Sequence, residues 1–386
     1  MTRSAFVSTY PPRHCGIATF TQHLATAVGG REIVALHASD LPSPYALEVH
    51  HRLRTSEPEE FPRTAATMRG CADVVCIQHA FGIWGPDETA VLEFARTLEV
   101  PSVATLHTVP SAPTPEQQYV ISELAANVSG VVALSQAAAS LLVDVYGLDP
   151  THITVIPHGI PDLPLLDAET VKPAVGMGGR DVLLSFGLLG PGKGIELALE
   201  ALPAIIAARP TTTYVVLGIT HPDMPPEAAE AYRSALVDQA ARLGVSGHVQ
   251  FIDRFVGRVE LTRWLEAADV IVAPYADPGK SASGTLPYAL GAGRPVVATA
   301  FTYAREVLAD GRGVLVPHGD PAALAAAVVG LLDDTEGRLA MGRLAHEHSR
   351  SMTWWQIGAI YREMLTKVAT APIPRRDTRR PPGRLA

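Results

Sequence analysis

The strongest constraint on the fold is an alternation of short apolar runs with longer amphipathic segments, which occurs twice along the chain. The alternation extends to about residue 160, lapses over residues 161–179 and then restarts. Such a pattern is typical of βαβ units and parallel sheets, and near-continuous apolar runs such as residues 73–78 favour strands covered on both faces. We therefore predict an α/β chain with two doubly wound, Rossmann-like domains.

The lapse at residues 161–179 contains three prolines and a Gly-Met-Gly-Gly run, which indicates an interdomain linker. We place one domain at residues 1–165 and the other at 166–350. A helix is predicted within 351–370, because Thr353 and Gln356 have capping-box spacing and apolar residues then recur at helical intervals. The remainder, 371–386, is rich in arginine and proline and is predicted to be a disordered basic tail.

Composition excludes several classes of protein. The chain has 386 residues, a net charge of -8 and 47% hydrophobic residues, which favours a folded chain over a disordered one and disfavours a general nucleic-acid binder. Its three cysteines show neither a disulfide framework nor CxxC spacing. With no signal peptide or membrane-spanning run expected, we interpret the protein as cytoplasmic. The basic tail leaves peripheral membrane contact as the alternative to an inert, solvated segment.

Ligands of doubly wound domains bind beyond the carboxyl ends of the strands. We therefore expect the binding residues in the loops that directly follow strands. Gly16 lies where the first such loop enters a helix, a position that offers free N–H groups to an anion. An ordinary tight turn is the competing interpretation. The G-x-G-x-x-G fingerprint is absent, which disfavours a nicotinamide dinucleotide.

Two loops of the second half carry stronger signals for an anion. The run Gly190-Pro-Gly-Lys193-Gly precedes a helix and resembles a phosphate-binding loop, although it lacks the hydroxyl of a P-loop after the lysine. Further on, Ser283, Gly284 and Thr285 form a small, polar turn before another helix. A solvated lysine and a plain helix cap are the alternatives.

Histidines follow strands of the first half. His79 and His107 end neighbouring predicted strands and are candidates to line a cleft, whereas a single histidine at such a place is usually just a satisfied polar residue. Cys76 and His79 are offset so that they point to opposite faces of a strand. We therefore expect no metal at the site.

Taken together, these segments resemble those of the retaining GT-B glycosyltransferases of family 4, and the resemblance extends over nearly the whole chain. The resemblance rests on the order and spacing of several segments: 11–20, 105–108, 156–160, 186–196, 268–275 and 283–293. It implies two facing Rossmann-like domains, an N-terminal acceptor domain and a C-terminal nucleotide-sugar domain, and a last helix that returns to the first domain.

The resemblance also implies roles for individual residues. Gly16 and Lys193 would contact the donor diphosphate, and His107 would lie near the transferred sugar as the catalytic residue. The remaining positions are expected to bind the donor or to line the acceptor cleft. The donor set is Ser283, Gly284, Thr285, Tyr288, Arg254 and Glu306, and the acceptor set is His79 and His14.

Two departures from the family pattern stand out. Leu188 occupies the position of a common arginine, for which Arg254 could substitute. The paired glutamates of the E-x7-E motif fall at Lys280 and Tyr288, neither of which is acidic. Tyr288 can still bond a ribose hydroxyl, but Lys280 cannot imitate a carboxylate.

The resemblance thus implies a metal-independent, retaining transfer of a hexose, such as mannose, from a GDP- or UDP-sugar to a saccharide or lipid-linked hydroxyl. No cofactor and no nucleic acid are expected to take part. Two alternatives stay open: a catalytically weakened protein that only binds nucleotide sugars, and a related GT-B phosphorylase or epimerase.

Overall fold

The computed structural model describes residues 2–30, 32–38 and 45–373. The chain divides into two units: the first comprises residues up to Gly159 and those from Trp354 onward, and the second is Ile160–Thr353. The boundaries predicted from the sequence lie near residues 165 and 350. Residues 374–386 of the predicted tail lie outside the described residues.

The first unit is built on a seven-stranded sheet in the order β3-β2-β1-β4-β5-β6-β7, and all neighbouring strands are parallel. The strands are β1 (Ser4–Ser8), β2 (Glu32–His37), β3 (Val49–Arg54), β4 (Val74–His79), β5 (Ser102–Leu106), β6 (Gly130–Ala133) and β7 (Ile153–Val155). The helices between them are α1 (Gly16–Val28), α2 (Glu60–Cys71), α3 (Ala90–Thr97), α4 (Pro115–Asn127) and α5 (Gln136–Asp144). The strand β3 was not predicted, because its sequence Val-His-His-Arg-Leu-Arg lacks an apolar run.

The second unit has a six-stranded parallel sheet in the order β10-β9-β8-β11-β12-β13. Its strands are β8 (Asp181–Phe186), β9 (Thr212–Leu217), β10 (Val249–Ile252), β11 (Val270–Ala273), β12 (Val296–Thr299) and β13 (Val314–Val316). Its helices are α6 (Ala168–Val171), α7 (Ile195–Ala208), α8 (Pro226–Arg242), α9 (Arg258–Ala267), α10 (Thr285–Gly291), α11 (Thr302–Val307), α12 (Pro321–Asp333) and α13 (Thr335–Ser349). The predicted pair of doubly wound parallel sheets is confirmed.

The segment predicted as a linker is folded into the second unit. It forms α6 and a following 3-10 turn, in which the side chain of Lys172 is almost completely buried. The Lys172 ammonium lies 2.7 Å from the Asp269 carboxylate, which also accepts a hydrogen bond from the Val182 amide at 2.7 Å. A buried charge is stable only when it is paired in this way, so the two residues depend on each other.

The last helix, α14 (Trp354–Val368), belongs to the first unit and packs against α1, as predicted. Tyr361 is fully buried, and its hydroxyl lies 3.1 Å from that of Thr105 on β5. Arg362 donates hydrogen bonds to the carbonyls of Ala27 (2.7 Å) and Val28 (3.2 Å) at the end of α1. A cation at a helix C-terminus also complements the helix dipole. Among the described residues, no helix has the length and apolar character required to cross a bilayer.

Candidate functional site

The two sheets place the candidate loops at their topological switch points. In the first unit the strand order reverses between β1 and β4, and in the second between β8 and β11. Loops that leave neighbouring parallel strands at such a point diverge and open a crevice at the carboxyl edge of the sheet. Gly16 follows β1, and Lys193 follows β8.

In the first unit, aromatic and imidazole rings surround Phe20 of α1. The rings of His107, His158 and Trp354 lie edge-on to it, with centroid distances of 4.7, 5.0 and 5.2 Å. Gly159 makes this cluster possible, because a Cβ atom there would lie 2.3 Å from a ring carbon of Trp354. Of these residues, only His107 has a role predicted from the sequence. The cluster joins α1, the loop after β5, the loop after β7 and the start of α14.

His107 is held as a neutral imidazole in one orientation. Its Nε2 atom donates to Oε1 of Gln78 at 2.8 Å, while the amide nitrogen of Gln78 donates to the sulfur of Cys76 at 3.2 Å. Burial, together with the nearby His158 and His79, lowers the pKa of His107 to about 3. The Nδ1 atom of His107 is therefore a hydrogen-bond acceptor at neutral pH.

His79 is fully buried at the end of β4, edge-on to Phe81 with a centroid distance of 5.1 Å. Neither of its ring nitrogens has a hydrogen-bond partner among the described residues. Burial lowers the pKa of His79 to about 4. Its carbonyl accepts a hydrogen bond from the His107 amide at 2.8 Å, so the contact of His79 with the site passes through the backbone.

Helix α1 begins at Gly16 without a side-chain cap. Cys15 is the N-cap residue and its side chain makes no capping hydrogen bond, and the first turn contains no acidic residue. Gly16 is exposed, and a Cβ atom there would meet nothing within 4 Å. His14, expected to line an acceptor cleft, is exposed in the loop just before. This helix end can accept an anion.

In the second unit, the glycine-rich loop after β8 is fixed by close backbone contacts. Gly194 has a φ of +70° and caps α7, and a Cβ atom there would lie 1.8 Å from the carbonyl oxygen of Pro274. Only glycine fits this position. The carbonyl of Gly192 accepts a hydrogen bond from the Ala276 amide at 3.0 Å. The loop that carries Lys193 is thereby joined to the loop that follows β11.

Two lysines converge on one buried tyrosine in this place. The ammonium groups of Lys193 and Lys280 lie 4.8 and 5.5 Å from the centre of the Tyr275 ring. Among the described residues, neither lysine forms an ion pair with a carboxylate. Burial, and then the like charge of Lys193, lower the pKa of Lys280. Two cations that share one aromatic ring, neither of them held in an ion pair, form a site for an anion.

The ring of Tyr275 is anchored on several sides. Its hydroxyl donates to Oγ1 of Thr285 at 2.9 Å, its face stacks on Phe301 with a centroid distance of 5.1 Å, and its carbonyl accepts from Thr299 at 2.6 Å. Burial by itself would raise the pKa of Tyr275. The charge of Lys193 and the hydroxyls of Thr285 and Ser283 outweigh it, so the pKa lies below its ordinary value.

The structure thus brings Lys193, Ser283 and Thr285 of the predicted set to one place, and Gly284 lies between the two hydroxyl residues as the N-cap of α10. Tyr288, on the same short helix, is half-buried and packs against the apolar core. Sequence reasoning did not find Tyr275, and it treated Lys280 only as a missing glutamate. The Ala-Pro-Tyr run at the end of β11 was the available signal for Tyr275.

The other two predicted donor residues lie farther along the sheet edge. Arg254 follows the edge strand β10, is 58% exposed and forms an ion pair with both carboxylate oxygens of Glu260. Glu306 lies in α11. That helix is hydrogen-bonded to the loop that carries Lys280, because the Tyr303 amide donates to the Lys280 carbonyl at 3.0 Å. Their donor roles stay predictions.

Comparison with known proteins agrees with these features. Residues 16–162 match the family model described as Glycosyltransferase Family 4, and residues 180–334 match the model described as Glycosyl transferases group 1. The first range begins at Gly16, and the second contains Lys193, Tyr275 and Lys280. The two ranges together cover most of the chain.

Several curated proteins are similar in sequence. A phosphatidyl-myo-inositol mannosyltransferase of Mycolicibacterium smegmatis is 30% identical over 286 residues, which cover 72% of this chain and 68% of that protein. A D-inositol 3-phosphate glycosyltransferase of Corynebacterium efficiens is 29% identical over 300 residues, covering 72% and 69%.

Solved structures share the fold at lower sequence identity. Anabaena HepE (Alr3699), solved with UDP and glucose, has a TM-score of 0.78 and 18% identity, and the match covers 95% of this chain and 100% of that one. The glycosyltransferase WaaG has a TM-score of 0.70 and 18% identity, covering 94% and 99%. With both domains matched by family models and a relative at 30% identity, the chain belongs to glycosyltransferase family 4 (glycosyl transferases group 1) and is a GT-B glycosyltransferase.

Proposed function

We propose that this enzyme is a retaining hexosyltransferase that uses a nucleoside diphosphate sugar and needs no metal ion or cofactor for the transfer. The donor is a GDP- or UDP-sugar, and the acceptor is a hydroxyl group of a saccharide or of a lipid-linked molecule. The names of the relatives support this choice, since one is a mannosyltransferase, and HepE was solved with UDP-glucose. Mannose is the first hexose to test.

The observation that carries the proposal is the pair of lysines over Tyr275. A nucleoside diphosphate is the leaving group of the reaction, and its negative charge grows as the sugar–phosphate bond breaks. Hydrogen-bond donors and cations that are already in position stabilise this charge in the transition state. They lower the activation barrier because the site does not have to reorganise during the reaction. Lys193 and Lys280 supply two positive charges, and the amino end of α7, which follows Lys193, carries no side-chain cap and is oriented by its dipole to favour an anion.

The lysine pair also gives a physical account of the missing E-x7-E glutamate. A carboxylate at position 280 would lie close to Lys193 and offset part of its charge. A lysine there instead adds to the charge that meets the diphosphate. We therefore assign Lys280 to the diphosphate rather than to the sugar, and the sugar hydroxyls must find other partners.

His107 is the residue we assign to the transferred sugar. As a neutral ring with Nε2 bonded to Gln78, it presents Nδ1 as an acceptor for a sugar hydroxyl. A histidine with so low a pKa does not act as a general acid at neutral pH. Its contribution is therefore orientation and recognition of the hexose.

The proposed chemical step needs no protein nucleophile. The acceptor oxygen attacks the anomeric carbon on the face from which the diphosphate departs, the carbon–oxygen bond to phosphate breaks, and a new glycosidic bond forms. The acceptor proton passes to the departing phosphate oxygen. Atoms and charge balance with the nucleoside diphosphate and the glycoside as the only products, and the anomeric configuration is retained.

Turnover assays would test this function. Purified enzyme is incubated with GDP-mannose, GDP-glucose, UDP-glucose or UDP-galactose and a panel of inositol, sugar and lipid-linked acceptors, with and without a chelator. We expect nucleoside diphosphate release that depends on both donor and acceptor and is unaffected by the chelator. The anomeric configuration of the product, read by NMR, should equal that of the donor. Inversion, or dependence on a divalent metal, would contradict the proposal.

A second candidate function follows from the same substitutions. Lys280 and Tyr288 replace both glutamates of the E-x7-E motif, so a protein that binds nucleotide sugars without turnover is the main rival. Tight donor binding by calorimetry, with no product from any acceptor, would favour it. Product that requires inorganic phosphate would indicate a phosphorylase, and conversion of the sugar without any acceptor would indicate an epimerase.

A further inference from the structure

A cluster of metal-binding side chains lies in the first unit, away from the residues discussed so far. Glu32 is the first residue of β2, His51 lies on the edge strand β3, and Cys71 is the last residue of α2. One ligand atom from each lies within 4.8 Å of the others. All three side chains are half-buried. The cluster lies toward the amino edge of the sheet, whereas Gly16 and His107 follow the carboxyl ends of strands.

An irregularity in the sheet adds a second histidine to the cluster. The pairing of β2 with β3 shifts its register between Ile33 and Val34, so that Ile33 pairs with Val49 and Val34 with His51. His50 is the extra residue, and a bulge of this kind re-aims neighbouring side chains. Both imidazoles consequently reach the same oxygen of Glu32, at 3.5 Å for His50 and 3.9 Å for His51.

The spacing fits a tetrahedral metal site. Zinc binds thiolate sulfur at about 2.3 Å and imidazole nitrogen or carboxylate oxygen at about 2.0–2.1 Å, which places neighbouring ligand atoms roughly 3.3–3.6 Å apart. In this cluster, Nε2 of His51 lies 3.9 Å from the Glu32 carboxylate and 4.0 Å from the Cys71 sulfur. The ligand atoms of Glu32 and Cys71 lie within 4.8 Å of each other, so side-chain movements of up to about 1 Å would close the site.

We propose that Glu32, His51 and Cys71 bind a zinc ion, with His50 or water as the fourth ligand. The mixture of nitrogen, sulfur and oxygen ligands favours zinc over magnesium or calcium, which prefer oxygen alone. Arg3, whose charge would oppose a cation nearby, is already paired with Asp73 at 2.7 Å. The role of the ion is structural, because it would join the edge strand, its neighbour and the end of α2.

Cobalt and zinc titrations test the site in the intact protein. Cobalt(II) added to the reduced, metal-free enzyme should give the charge-transfer absorption of a thiolate–cobalt bond, and zinc should abolish it. At a free zinc concentration about 100 times the dissociation constant, we expect the melting temperature of the unit to rise by roughly 5–10 °C. Cys71→Ser and His51→Ala should lose both effects.

His221→Ala is the matched control. His221 also lies beside a carboxylate, with its Nδ1 atom 3.7 Å from Asp223, but among the described residues this pair belongs to no cluster of three metal-binding side chains, so this variant should keep the full response. A zinc response of equal size in Cys71→Ser and the wild type would overturn the proposal. So would the absence of thiolate–cobalt absorption.

A measurement on the wild type covers the case in which Cys71→Ser does not fold. Cys71 is half-buried, whereas Cys15 and Cys76 are buried, so peptide mapping after mild alkylation can follow Cys71 alone. When about 90% of the protein is loaded, zinc should slow that alkylation about tenfold, because a bound thiolate is not available to react. An unchanged rate would refute the site. None of these readouts depends on glycosyl transfer.

Discussion

The ammonium group of Lys193 lies 4.8 Å from the centre of the Tyr275 ring, and this contact unites the two loops that flank a topological switch point. The strands that precede these loops, β8 and β11, are neighbours in the sheet. A hydrogen bond between the Ala276 amide and the Gly192 carbonyl supports the same junction. The position of the lysine is therefore set by backbone contacts on both sides, which is what a preorganised anion site requires.

Replacement of Lys193 should weaken the binding of nucleoside diphosphates. A charge-assisted contact contributes about 1.5–3 kcal/mol, so Lys193→Ala should raise the dissociation constant for GDP or UDP roughly 10- to 100-fold. Isothermal titration calorimetry measures this directly. Lys367→Ala is the control, since Lys367 is exposed on α14 and pairs with Glu363. Equal affinity in Lys193→Ala and the wild type would remove the basis of the proposed function.

Lys280 should make donor affinity sensitive to alkaline pH. Burial and the charge of Lys193 lower its pKa, so the ammonium loses its proton at a lower pH than an ordinary lysine, and its attraction for the diphosphate is lost as the pH rises. The dissociation constant for GDP should therefore increase more in the wild type than in Lys280→Met as the pH rises from neutral toward 10.5, the ordinary pKa of a lysine. Ionisation of the ligand itself cancels in this comparison.

Lys280→Arg is the sharper control, because a guanidinium stays charged over that whole range. It should hold the dissociation constant nearly constant where the wild type loses affinity. If all three proteins changed in parallel, Lys280 would not contact the diphosphate, and the glutamate missing from position 280 would need another explanation.

The fold could be predicted from the sequence because parallel strands that are covered on both faces consist of nearly continuous runs of apolar residues. The runs at 74–78 and 270–273 are fully buried strands, as expected. The edge strand β3 was missed because only Leu53 in it is buried, which leaves no apolar period to detect. The segment 161–179 was predicted as a linker because it is rich in proline and glycine. Its packing into the second unit depends on the pairing of buried Lys172 with Asp269, which is distant in sequence and gives no local signal.

The candidate site could be predicted only where a single segment carries the signal. The glycines around Lys193 and the small polar residues at 283–285 are such segments. Tyr275 and Lys280 are recognised as part of the site only because both lysines contact the Tyr275 ring, and the contact with Lys193 depends on the order of strands in the sheet. Glu32, His51 and Cys71 are likewise separated in sequence, so no metal-binding spacing appears in it.

Gly194 should be essential to the conformation of the loop that carries Lys193. A side chain there meets both an unfavourable φ of +70° and the carbonyl oxygen of Pro274, so Gly194→Ala must displace the backbone on one side of the junction. We expect a loss of roughly 1–3 kcal/mol in stability. Nucleoside diphosphate affinity should fall as well. Gly247→Ala, at a position with open space around it, should change neither quantity in thermal unfolding and calorimetry.

His79 should make the first unit less stable in acid. Its pKa is about 4 in the folded protein, against 6.5 for an unperturbed histidine. Between these values the unfolded chain binds a proton that the folded protein does not, so stability falls as the pH falls through this window and declines no further from this cause below it. The difference corresponds to at most roughly 3 kcal/mol.

An apolar replacement removes that cost, together with the cost of two buried ring nitrogens that lack partners among the described residues. His79→Leu should therefore raise the apparent free energy of unfolding, and the gain should be larger near pH 5 than near pH 8, as measured in urea. The opposite behaviour is expected of His152→Leu, because Nε2 of His152 lies 3.0 Å from the Ala125 carbonyl and that bond would be lost. A destabilised His79→Leu protein at both pH values would mean that His79 has a polar partner in solution, and its place in an acceptor site would then have to be reconsidered.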